Sequence, residues 1–186
     1  MARVFDVADV FIQAANQSDD DSISNLKLNK LLYFAQGTYL ARTGETLFDE
    51  PIEAWQMGPV VPAVYDKYKH FGKSPIPASA VSSDSHEFSQ EEADTILDVL
   101  REFGKYTGSA LVSMTHKADT PCSETFYSKH SMSNTTKHQI PLQSIKEYFF
   151  RNPVPHFAEK IKAPVVSVLP NDWYDSSEDA EWESYL

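Results

Sequence analysis

The run from Lys27 to Gly72 narrows what this chain can fold into more than any other part of it. Leu28, Leu31, Leu32, Ala35 and Tyr39 recur at one to three turns' spacing, which predicts a helix carrying an apolar stripe. Ser24 stands where a side-chain oxygen accepts from an early unpaired amide, and Gly44 where a left-handed residue stops the helix. Past Trp55, Gly58-Pro59 reads as a break: glycine permits an unusual backbone angle, and proline's fixed φ suits the first position of a second helix. Val61, Val64, Tyr65 and Tyr68 give that helix an inward face before Gly72 ends it. Between the two, Pro51 to Trp55 alternates in polarity and reads as a short strand.

Helical signals continue on both sides. Asp6 is placed to cap a first helix in which Val7, Val10, Phe11 and Ala14 share a face, before the polar run Asn16 to Ser22. Pro75 to Ser85 reads as a loop, and Ser89-x-x-Glu92 as a capping box opening a helix with Ala93, Ile96, Leu97, Leu100 and Phe103 on one side and Gly104 at its end. Thr107 to His116 is a shorter helix with Ala110, Leu111 and Met114 inward; Pro121 begins another turn, and Leu142, Ile145, Tyr148 and Phe149 mark a last helix. Val165 to Leu169, rich in β-branched residues, is a second short strand candidate. The expectation is a mainly α protein: a compact helical domain over residues 1–150 with one or two short β segments, then a Pro-rich and acidic extension over 151–186.

With 186 residues, 41% of them hydrophobic, the chain can bury one sizeable core unaided. Its one cysteine, Cys122, cannot form an internal disulfide, which suits the cytoplasm. The N-terminus lacks the basic-then-apolar pattern of a signal peptide, and no stretch approaches a membrane span. A net charge of -11, from 16 basic and 27 acidic residues, argues against direct nucleic-acid binding, which depends on cations neutralising phosphates.

His116, Asp119 and Cys122 are the one spacing that resembles a metal or nucleophile site, but Pro121 breaks any helix that would align them. They read instead as a histidine near a helix C-terminus and a cap before Thr120-Pro121, so no catalytic residue, metal or other cofactor is expected. Tyr33, Phe34, Phe48 and Trp55 read first as core, with exposed anchors as the alternative. Lys67, Lys69, His70 and Lys73 read as the solvated end of a helix. In the tail, Trp173, Tyr174 and Trp182 sit among Asp172, Asp175, Glu178 and Asp179 with no lysine or arginine from Asn171 onward. Both an acidic appendage and a set of aromatic anchors with electrostatic steering fit that composition.

Taken in combination, Leu28, Lys30, Leu31, Leu32 and Tyr33 with Gln36, then Leu47 to Trp55, then Gly58, Pro59 and Val60 with Tyr65, resemble the Panacea (SocA-like) antitoxin domain of bacteria and phages. Lys105-Tyr106, Thr115-His116 and Ile145 to Phe149 extend the resemblance, which runs from about Phe5 to Phe149. Asn29 stands where glutamine is commoner, and the extension past Phe149 is outside the pattern. The resemblance implies a non-catalytic antitoxin of a type II toxin-antitoxin system. Such a protein binds a cognate toxin, encoded next to it, directly and without nucleic acid or membrane. The alternative it carries is a proteolytic adaptor that delivers the toxin to a AAA+ protease. On this reading the motif residues are mostly structural, and the tail residues Asp172 to Trp182 named above contact the toxin.

Overall fold

The computed structural model describes residues 2–17, 23–82, 86–130 and 138–156. Its organising element is a 19-residue helix, α2 (Asn25–Thr43), onto which most of the others pack. Ser24 caps it as expected, its hydroxyl accepting from the Lys27 amide at 3.3 Å, and Gly44 ends it in a left-handed conformation at φ 82°. The apolar stripe is too narrow a description, however. Asn25, Lys27, Asn29, Lys30, Gln36 and Thr38 are buried alongside Leu28, Leu31, Leu32 and Ala35. A helix enclosed on all sides loses its amphipathic pattern, and its polar residues must find partners inside.

Around α2 lie α1 (Val4–Gln17), α3 (Pro62–Tyr68), α4 (Gln90–Phe103), α5 (Gly108–Thr115), α6 (Pro121–His130) and α7 (Leu142–Arg151). α1, α3, α4, α5 and α7 all pack on α2. Short 3-10 turns cover Lys69–Phe71 and Ala78–Ala80. The capping box of α4 forms as read: the Ser89 hydroxyl accepts from the Glu92 amide at 3.3 Å, and the Glu92 carboxylate accepts from the Ser89 amide at 2.8 Å. At α1 the expectation is corrected. Asp6 lies within the first turn rather than before it, and its carboxylate reaches back to the Arg3 amide at 3.1 Å and guanidinium at 2.7 Å. The bond to Arg3 holds that carboxyl below its usual range.

Three short strands form one antiparallel sheet in the order β2-β1-β3: β1 (Glu53–Trp55), β2 (Gly58–Val60) and β3 (His138–Gln139). β1 lies within the predicted strand; β2 replaces the predicted helix start. Trp55 pairs with Gly58 and Ala54 with Pro59, so the glycine at φ 93° closes a hairpin, and Pro62, not Pro59, takes the first position of the next helix. Either proline has the φ for the role; the positive φ at Gly58 decides between them. Two inward assignments also fail, Tyr65 being 37% exposed and Leu142 41%. The second candidate strand, Val165 to Leu169, lies outside the described residues. The protein is mainly α, and none of its described helices is long and apolar enough to cross a membrane.

Candidate protein-binding surface

Four buried polar residues of α2 fix the geometry of the segment that follows it. Gln36 donates to the Phe48 carbonyl at 2.9 Å and accepts from the Leu47 and Phe48 amides at 2.8 and 3.3 Å. Asn29 accepts from the Val61 amide at 2.9 Å and donates to the Asn25 carbonyl and side-chain oxygen, while Asn25 donates to the Tyr65 carbonyl at 3.0 Å. Lys30, with no exposed surface, donates from Nζ to the Pro59 carbonyl at 3.0 Å. These side chains satisfy backbone groups that the connector and hairpin leave unpaired, a need that any loop packed against a core must meet. Burial lowers the Lys30 pKa to about 7, and burial pushes the Cys122 thiol up to about 12.

Gly58 is held between α2 and α5. A Cβ there would lie 2.7 Å from Thr115 Oγ1 and 2.8 Å from Lys30 Cε, and its positive φ disfavours a side chain independently. At the hairpin tip, His116 places Nε2 3.0 Å from the Gln56 carbonyl and Nδ1 2.9 Å from the Val112 carbonyl. Thus α2 grips the base of the hairpin and α5 its turn.

The hairpin, with the adjoining helix α3, presents three large side chains. The half-buried Trp55 ring meets Tyr65 edge-on, with centroids 4.9 Å apart at 66°, and its Nε1 donates to Glu53 Oε2 at 2.7 Å. Met57, two residues on in the hairpin turn, is 52% exposed. Periodicity puts Tyr65 in the core and residue type puts Trp55 there first, and neither singles out Met57. The available signal was a bulky apolar residue at the tip of a tight turn, where polar residues are usual. Phe48, the other end of the connector, is fully buried and offers no anchor.

The remaining candidates fall elsewhere. Leu28, Leu31, Leu32, Tyr33 and Val60 are core, Tyr33 packing edge-on against Phe149 with its buried hydroxyl lacking a hydrogen-bond partner. Cys122 is buried whereas Asp119 is exposed at φ 65°, so the spacing with His116 builds no common site. No group of three or more His, Cys, Asp or Glu among the described residues could hold a metal. Lys67 lies over the Phe5 and Tyr68 rings at 4.6 and 5.0 Å, and Lys69 pairs with Asp66 at 2.9 Å. Trp173, Tyr174 and Trp182, with Asp172, Asp175, Glu178 and Asp179, lie outside the described residues. The strap leading to them is clamped: Asp98, 1% exposed, receives Arg42 Nη1 at 2.8 Å and His156 Nδ1 at 2.7 Å, and Arg42 Nη2 donates to the Val154 carbonyl at 3.3 Å.

Comparison with known proteins follows the same outline. Residues 28–121, from the middle of α2's first turns to the start of α6, match the family described as antitoxin SocA-like, Panacea domain. Antitoxin SocA of Caulobacter vibrioides (strain NA1000 / CB15N) is 36% identical over 111 residues, covering 55% of this chain and 59% of that relative, so the likeness spans well under two thirds of the relative's length. No solved structure matches the chain. The matched span contains every motif residue from Leu28 to Tyr65, together with the polar grip of α2 on the hairpin, and the chain belongs to the antitoxin SocA-like, Panacea domain family.

Proposed function

We propose that this protein is the antitoxin of a type II toxin-antitoxin system, neutralising a cognate toxin by binding it as a protein. The observation that carries the reading is the family match over residues 28–121. The geometry fits it: the hairpin and α3 bring tryptophan and tyrosine into ring contact near the surface and leave a methionine exposed in the hairpin turn, and these residue types are enriched where proteins anchor one another. The acidic, aromatic segment Asn171 to Leu186 is a second contact region on this reading, and residues 1–150 the folded unit that carries it.

The test uses the product of the reading frame adjacent in the source genome. Expressed alone it should arrest growth; with this chain, growth should recover and the two should co-purify at fixed stoichiometry. Rescue that persists in cells lacking AAA+ proteases is the outcome of masking, whereas rescue lost there is the outcome of adaptor delivery. An adjacent product that is harmless, or toxic and neither bound nor relieved by this chain, removes the antitoxin reading.

A further inference from the structure

Resting on the antitoxin reading, we propose that the ledge of Trp55, Met57 and Tyr65 seats the toxin, and that the toxin face it receives is basic around an apolar contact. Three observations converge on it. First, the ledge is apolar and exposed without being loose. Its backbone is bonded to Lys30 at Pro59 and held by His116 at Gln56, and Trp55 and Tyr65 brace each other. Large side chains already fixed in place lose little entropy on docking, which is what makes aromatic anchors effective.

Second, the ledge is continuous with an acidic stretch. Between Arg42 and Lys67 the chain contains Glu45, Asp49, Glu50, Glu53 and Asp66 and no lysine or arginine. Glu53 bonds directly to the Trp55 indole, Asp66 adjoins Tyr65, and Asp49 and Glu50 lie just before the strand that ends in Trp55. Lys69, paired with Asp66, and Lys117, next to His116, offset only part of this charge. An apolar centre in a one-signed rim selects a partner of opposite sign and speeds the encounter. Third, the most exposed large apolar side chain among the described residues, Phe150 at 73%, lies on α7 in a hollow it shares with Lys146 and Arg151, a different charge setting, and serves as an internal control.

The experiment measures binding kinetics of the full chain with the adjacent-frame product, alongside rescue of growth. Met57→Ala with Tyr65→Ala should raise Kd about tenfold or more, chiefly through faster dissociation. Asp49→Lys with Glu50→Lys should slow association several-fold, most at low salt, by roughly the factor a rim charge commands. Phe150→Ala should change neither rate. Met57→Ala alone decides the matter should the Tyr65 change disturb the fold. A folded Met57 and Tyr65 double variant that binds within about twofold of the unaltered chain overturns the ledge while leaving the antitoxin reading intact. Failure of the unaltered chain to bind or rescue sinks both.

Discussion

Lys30 offers the most direct quantitative test of the interior. Its ammonium is charged in the unfolded chain up to the ordinary value of 10.5, whereas burial brings its pKa to about 7 in the fold. Protonated lysine is therefore a cost to folding, about 5 kcal/mol at about 1.4 kcal/mol per pH unit, present in full below pH about 7 and gone above about 10.5. Between those values the unfolded chain binds more protons, so stability rises with pH; the gain from about pH 7 to about pH 9 is about 2 kcal/mol. Cys122 does not confuse this window. Its thiol moves from 9.0 to about 12, so it acts only above about pH 9 and lowers stability there. Lys30→Met removes the titration but also leaves the Pro59 carbonyl without its partner, at about 1 to 3 kcal/mol. The variant should thus be the more stable protein by about 2 to 4 kcal/mol near neutral pH and nearly level with the parent by about pH 9. Urea denaturation followed by far-ultraviolet circular dichroism at several pH values reads the difference directly. Parallel pH profiles for the two proteins would refute the argument, because they would mean that Lys30 keeps its charge inside the fold.

Gly58→Val should lower stability by about 3 kcal/mol or more, from the positive φ and the collision with Thr115 and Lys30, and a thermal midpoint within a few degrees of the parent would show that the hairpin can relax. Arg42→Met removes a 2.8 Å ion pair from the buried Asp98 and a donor from the Val154 carbonyl, so a loss of about 2 kcal/mol and faster proteolysis after residue 151 are expected; unchanged cleavage kinetics would release the strap from this clamp. Deleting Asn171 to Leu186 should slow association with the toxin, most at low salt, and full retention of rate and of growth rescue would reduce that segment to a solubilising appendage.

Local signals were legible wherever the chain itself completes the interaction. Ser24, Gly44 and the Ser89–Glu92 capping box all lie within a turn of the groups they satisfy, so spacing alone sufficed to find them. Asp6 was misplaced because an N-cap and the third residue of a helix both use a carboxylate; which amide it serves depends on where the helix begins. Tyr65 and Leu142 sit at positions whose periodicity points inward, but α3 has seven residues and α7 ten, and on helices so short a partner element decides which flank is covered.

The ledge was illegible for a different reason. Asn29, Lys30 and Gln36 look like the polar side of an amphipathic helix until α2 is seen to be enclosed, and their partners stand 11 to 32 residues further along the chain. Periodicity within one helix says nothing of a bond whose other end lies beyond that helix. The motif by which the family is identified therefore specifies an interior scaffold, three polar grips on a connector and a hairpin, and it includes Trp55 and Tyr65 but not Met57 at the hairpin tip. Met57, 52% exposed in the hairpin turn, makes none of the scaffold's side-chain hydrogen bonds, so its identity is free to vary without loss of the fold. On the antitoxin reading, a rigid frame with one unconstrained residue at the tip of its hairpin puts a determinant of partner choice at Met57, outside the residues that make the family recognisable.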